Sequence, residues 1–156
     1  MEEGFQMMVQ FKSLLSEVPQ LVSAMYAMIR PFMVKGVLVM TGGALGALSR
    51  YGVGLFTART WGTHFPWGTL LVNLTGCFLI GLVFGLAERV RMITPEFRLF
   101  FITGYLGALT TFSSFALETV TAGRAGMPLQ VFFNIIVNNL GGITLTFMGM
   151  WFSRLK

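Results

Sequence analysis

Of the chain's 156 residues, 54% are hydrophobic and only 11% charged, for a mean hydropathy of +0.73. Soluble domains carry about 25% charged residues, so this composition places the chain in lipid and leaves no room for a soluble catalytic domain. The net charge of +5 is a membrane-orientation signal, because Lys and Arg of membrane proteins collect on the cytoplasmic side; it is no argument for nucleic acid as a partner.

The first 32 residues form an N-terminal extension. They open on Glu2 and Glu3, with neither a basic n-region nor a small-residue cleavage site, so they do not read as a secretory signal. Met8, Phe11, Leu15, Val18, Val22, Met25 and Ile29 recur at spacings of three and four, the period of an amphipathic helix. Lys12, Ser13, Ser16, Glu17 and Gln20 form its polar side. Pro19 would kink or divide such a helix, and Pro31 would separate it from the first span. Two readings stand: an interfacial helix lying on the membrane, or a poorly ordered extension.

Residues 33–156 form a four-span domain. A crossing needs about 20 mostly apolar residues, and four such stretches run over Met33–Thr57, Trp67–Ala87, Phe97–Val120 and Leu129–Phe152. Four short helices enclose little space, which points to an oligomer. Gly42 and Gly46 in the first span, and Gly81 and Gly85 in the second, are GxxxG pairs suited to close helix packing. Cys77, the single cysteine, is a small packing residue. His64 sits in the loop before Pro66 without metal-ligand neighbours at useful spacing.

Polar side chains inside the spans are costly unless paired or wet, so they carry the functional signal. Thr69 and Asn73 share one face of the second span at i and i+4. In the fourth span Asn134, Asn138, Gly142 and Thr146 continue one face at the same spacing. The third span holds Thr110, Thr111, Ser113, Ser114 and Glu118. Each asparagine taken singly serves equally well as helix glue; aligned on several spans they describe a neutral polar pathway. Glycines at 104 and 107 and hydroxyls at 110 and 111 predict a break in the third span near residues 107–111, since Gly weakens helices and Ser or Thr can satisfy freed backbone groups. Broken helices expose carbonyls and amides at depth, where ions bind. Phe112 and Phe115 point from one side just after it. Phenylalanine is usually packing, yet an aromatic ring has a positive edge that can meet a small anion.

Three blocks in order, GGALGALSRY (42–51), WGTLLVNLTGCFLIG (67–81) and GYLGALTTFSSF (104–115), resemble the bacterial fluoride channel family, Fluc or CrcB, over about residues 36–152. The resemblance implies an all-α membrane protein of the bacterial inner membrane, with four transmembrane helices per subunit, the third broken. It implies an antiparallel, dual-topology homodimer with two pores along the subunit interface and passive, fluoride-selective export that relieves fluoride toxicity. Phe112 and Phe115 match the family's paired pore phenylalanines, and Asn73 its pore asparagine. Gly107 and Thr110 match residues whose backbone carbonyls hold a central structural Na⁺. Thr69, Ser114, Asn138 and Thr146 fall on its polar track, and Arg50 closes the first motif as a structural anchor or an electropositive mouth. Glu118 also has a counterpart.

Two features depart from that pattern. Gly142 stands where the fourth helix commonly carries a hydroxyl. Eight basic residues (Lys12, Arg30, Lys35, Arg89, Arg91, Arg98, Arg154 and Lys156) fall on the side of the termini, against Arg59 and Arg124 on the other. Such a bias favours one orientation with cytoplasmic termini, so a paralogous subunit of opposite orientation is the alternative partner. Two other functions are compatible with four spans: a proton-coupled exporter of small cations working through Glu118, and a non-transporting scaffold.

Overall fold

The computed structural model describes residues 2–89 and 93–155, and all its regular secondary structure is helical. Arg91 and Lys156, two of the eight basic residues on the side of the termini, lie outside the described residues. The chain falls into two compact units, one up to Val37 and one from Leu38 onward. Four helical stretches are long and apolar enough to cross a membrane: Gly4–Trp61, Trp67–Glu88, Pro95–Arg124 and Pro128–Phe152. The protein is therefore a multi-pass membrane protein.

The first helix, Glu2–Trp61, is the main departure from expectation, because it contains both Pro19 and Pro31 without an interruption. Each proline removes one N–H from the ladder, but the bonds on either side keep their register. The helix ends before Gly62, whose φ of 78° suits glycine alone. Thr94 and Pro95 start the third span, with the Thr94 hydroxyl accepting from the Phe97 N–H at 3.2 Å. Pro128 opens the fourth span at a position where a missing N–H costs nothing.

Within the unit from Leu38 onward, the spans approach at backbone distance. A Cβ on Gly42 would strike the Phe100 carbonyl and one on Gly46 the Tyr105 carbonyl, so the first glycine pair seats the third span. Gly81 meets the Thr146 carbonyl and Gly85 the Ser153 side chain, so the second pair seats the fourth. The buried core is small: Val72, Leu106 and Leu109, with Val53, Leu79, Phe101 and Tyr105 packed against it. Two stretches widen into π-helical turns, Leu99–Leu106 in the third span and Val137–Gly141 in the fourth. Such turns often accompany functional sites. Here the first leads directly into Gly107 and the second contains Asn138.

Candidate functional site

After the short helical turn Gly107–Leu109, the backbone of the third span becomes extended at Thr110 (φ −81°, ψ 154°) and Thr111 (φ −152°, ψ 113°) before helix resumes over Phe112–Arg124. An extended pair at this depth leaves backbone groups without helical partners, and each must find one elsewhere. Thr110 remains tied to the preceding turn, its N–H and its hydroxyl both donating to the Leu106 carbonyl at 3.0 Å. Thr111 finds its partner on another span. Its N–H donates to Asn73 Oδ1 at 2.8 Å, and its carbonyl accepts from Asn73 Nδ2 at 3.3 Å. The Asn73 amide thus serves both backbone groups of one residue. Thr111 also caps the resumed helix, its Oγ1 accepting from the Ser114 N–H at 3.2 Å.

The network continues into the fourth span. Asn73 Nδ2 donates to Asn138 Oδ1 at 3.0 Å, and Asn138 Nδ2 donates to both the carbonyl and Oδ1 of Asn134. Asn134, only 1% exposed, donates through Nδ2 to Thr119 Oγ1 at 2.8 Å. The Thr119 hydroxyl returns to the Phe115 carbonyl at 2.7 Å. A chain of amides and one hydroxyl therefore runs from the interruption through two other spans and back to the turn carrying Phe115. Buried polar groups connected in this way are strongly specifying, because an unmet partner costs more than the bond itself gains.

The rings of Phe112 and Phe115 lie 5.5 Å apart, tilted by 55°. Phe115 is buried, whereas Phe112 is 74% exposed. Both line a cavity of about 330 Å³ together with Asn73, Gly107, Thr110 and Asn138. A second cavity, of about 750 Å³, is lined by Arg50, Thr69, Ser114, Glu118 and His64 among others. There Thr69 Oγ1 donates to Glu118 Oε1 at 2.6 Å, while Glu118 Oε2 is buried with no partner. Thr111 lies on both cavities.

The residues singled out from sequence thus divide into three sets. Asn73, Gly107, Thr110, Phe112, Phe115 and Asn138 share the smaller cavity, and Arg50, Thr69, Ser114 and Glu118 the larger. Thr146 stands apart from both, its hydroxyl bonded back to the Gly142 carbonyl at 3.0 Å. Two residues important to the network carry only weak sequence signals. Thr111 is one hydroxyl in a run of several, and Thr119 lies beyond the third block of the resemblance, GYLGALTTFSSF.

Comparison with known proteins shows the family. The family described as "CrcB-like protein, Camphor Resistance (CrcB)" matches residues 37–150. A Legionella pneumophila (strain Lens) protein named "Fluoride-specific ion channel FluC" is 48% identical over 113 residues, covering 71% of this chain and 83% of that relative. Proteins of the same name from Agrobacterium fabrum (strain C58 / ATCC 33970) and Hyphomonas neptunium (strain ATCC 15444) are 44% and 43% identical. The first match covers 78% of this chain and 98% of the relative, the second 75% and 93%. The chain belongs to the CrcB-like family.

Proposed function

We propose that this chain is a subunit of a passive fluoride channel of the bacterial inner membrane, and that fluoride passes the interruption of the third span beside Phe112 and Phe115. One observation carries the reading: the extended Thr110–Thr111 pair, the Asn73 amide and the two rings converge on a single cavity. The names of the family relatives supply the anion.

The donor inventory says how a small anion would be handled. Asn73 Nδ2 has two hydrogens, engaged by Asn138 at 3.0 Å and by the Thr111 carbonyl at 3.3 Å. The longer bond is the one fluoride would displace. Ser114 Oγ accepts from Thr111 Oγ1 at 3.1 Å, which leaves its own hydrogen to offer. Ring edges of Phe112 and Phe115 add a weak positive field without a fixed cation that would trap the ion. Close donors replacing a strong hydration shell are a general route to selectivity. An inside-negative potential drives anions outward at about 2.3 kcal/mol per charge per 100 mV, so export needs no nucleotide.

The exposed Phe112 ring suits a pore completed by a second, antiparallel copy of the chain, with a paralogous subunit as the alternative. A structural Na⁺ at the centre of such a dimer fits the oxygen chemistry present. The Thr111 N–H has turned to Asn73, so the Gly107 carbonyl, its helical acceptor four residues back, is released from the ladder. Hard cations prefer such oxygens. Gly107 and Thr110 would hold the ion by their carbonyls, and its contribution would be to fix the chain crossing. Thr69, Ser114 and Asn138 belong to the polar route in this reading. Thr146 is its outlying member, and Arg50 faces the larger cavity as anchor or mouth.

The test is fluoride efflux from liposomes carrying the purified chain, read by a fluoride electrode after addition of a potassium ionophore. Fast fluoride loss with chloride retained is the expected result; retention of fluoride by correctly inserted protein would sink the homodimeric channel. A second reading draws on the buried, unpartnered Glu118 Oε2: a proton-coupled exporter of small cations. In that case Glu118→Gln abolishes transport and transport follows a proton gradient.

A further inference from the structure

Contacts of Gly141 with Leu74, of Gly81 with Thr146 and of Gly85 with Ser153 advance together along the second and fourth spans, so these two helices run parallel. Their separation changes along the way. At Gly81 and Gly149 the backbones touch, a Cβ on either glycine striking a carbonyl of the other span. Closer to the loops, a Cβ on Gly141 would lie 3.2 Å from Leu74 Cδ2, so a side chain now fills the gap. Closer still, a groove of about 590 Å³ opens between Phe65, Trp67 and Leu70 on one side and Leu129, Phe133 and Val137 on the other. Every residue lining it belongs to these two spans or to the turn before each, and Gln130 is its one polar member. Leu70 forms a buried wall, whereas Leu129, Phe133 and Trp67 are open to the surroundings.

We infer that this groove holds one acyl chain of a phospholipid, with the headgroup on the rim made by Phe65, Trp67 and Gln130. Three observations choose a lipid tail as the occupant. The first is level: Trp67 and Pro128 begin their spans, and the Trp67 ring packs on Trp61 at 5.6 Å and on Phe65 at 4.7 Å. Aromatic clusters of this kind sit at the headgroup boundary, so the groove descends from there into hydrocarbon. The second is depth. From Pro128 to Val137 a helix rises about 13 Å, close to the roughly 15 Å of one leaflet's hydrocarbon. A helix of a second copy would cross both leaflets and need a groove along the whole pair; this one is closed where Leu74 meets Gly141. The third is polarity. The groove lacks any charged lining residue, yet it shares Phe65, Trp67, Met127 and Gln130 with the polar cavity of about 750 Å³, which adds Thr63 and His64 at this end. An apolar slot joined at its mouth to a polar chamber matches a molecule with a tail and a head. A tail in the slot restores the dispersion contacts that the diverging helices forgo.

The test uses the full chain with Trp61→Phe and Trp151→Phe, which leaves Trp67 as the sole tryptophan, reconstituted in phosphatidylcholine brominated along its tails. After extraction into mild detergent, native mass spectrometry should find one phospholipid retained per chain. That lipid should quench Trp67 emission several-fold relative to the unbrominated lipid. Val137→Phe, which fills the inner end of the groove, should lower retention about tenfold, the equivalent of about 1.4 kcal/mol. Ile135→Phe, exposed and about 200° round the helix from Val137, should leave retention unchanged. A chain that emerges without lipid would overturn the proposal. So would a retained lipid that leaves Trp67 emission unchanged, or one that Val137→Phe and Ile135→Phe retain equally. Absence of lipid combined with loss of dimers in Val137→Phe would assign the groove to a second copy instead. Trp67 quenching is read without either groove variant, so it decides the matter even where Val137→Phe fails to fold. None of these readouts involves fluoride, so failure here and failure of the channel reading are separable.

Discussion

Where the second span meets the fourth, Gly81 lies against the Thr146 carbonyl and Gly149 against the Phe78 carbonyl, so at these two points the helices meet backbone to backbone. Where the second span meets the interruption of the third, a side chain does the bridging: the Asn73 amide bonds both backbone groups of Thr111. The first contact joins helices with complete hydrogen-bond ladders, so it needs only small residues and gains from dispersion. The second joins a helix to a stretch whose ladder has opened, so a polar side chain must replace the missing bonds. A glycine seam is thus a requirement on volume, and the asparagine bridge a requirement on chemistry.

The largest expected effect lies at the seam. Gly149→Val puts a branched side chain into the Phe78 carbonyl and the Leu82 N–H, which rigid backbones cannot accommodate. A destabilisation of about 3 kcal/mol is expected, at the upper end of overpacking costs, read as a lowered unfolding midpoint in detergent. A midpoint unchanged by this variant would break the comparison. Next is Asn73→Ala, which strands the Thr111 N–H and Asn138 Oδ1. The cost is about 2 kcal/mol from unmet buried groups, together with a fall in fluoride efflux of about tenfold or more, the equivalent of about 1.4 kcal/mol in a barrier. Asn73→Asp sharpens the point, since a carboxylate keeps the acceptor for Thr111 N–H but loses both donated bonds.

A smaller loss, about 1 kcal/mol, is expected for Thr119→Val, which leaves Asn134 Nδ2 without its acceptor while preserving shape. Thermal unfolding should report it, with efflux less affected than in Asn73→Ala. Phe112→Ile separates transport from packing: the ring is 74% exposed, so single-chain stability should move by no more than about 0.5 kcal/mol while fluoride efflux falls. Equal losses of both would recast Phe112 as a packing residue. Thr146→Val should do least. Its hydroxyl bonds only back to Gly142, so stability within about 0.5 kcal/mol and near-normal efflux are expected.

Much of this was legible in the sequence, and the reason differs from feature to feature. The four spans follow from the length of the apolar runs, and the helix contacts at Gly42, Gly46, Gly81 and Gly85 from a spacing that puts two glycines on one face. Asn73, Asn138 and the two phenylalanines stood out because polar groups and paired rings are unusual at depth. The partner of Asn73 was not legible: Thr111 lies 38 residues away in sequence, and nothing local marks it above Thr110. The π-helical turns at Leu99–Leu106 and Val137–Gly141 have no composition of their own. The continuation of the first helix through Pro31 was hidden because proline's local penalty says nothing about the bonds that persist on either side.

The Asn73–Thr111 bonds have a consequence for biogenesis. They are made entirely within one polypeptide, as are those that carry the network onward to Asn138, Asn134 and Thr119. The bonds that hold the unwound turn are accordingly all available to a lone chain once the fourth span packs. In the dimer proposed above, assembly would join surfaces whose backbone is already shaped, and a quality-control step that senses unpaired chains would meet a finished fold with an open aromatic face, Phe112 being 74% exposed.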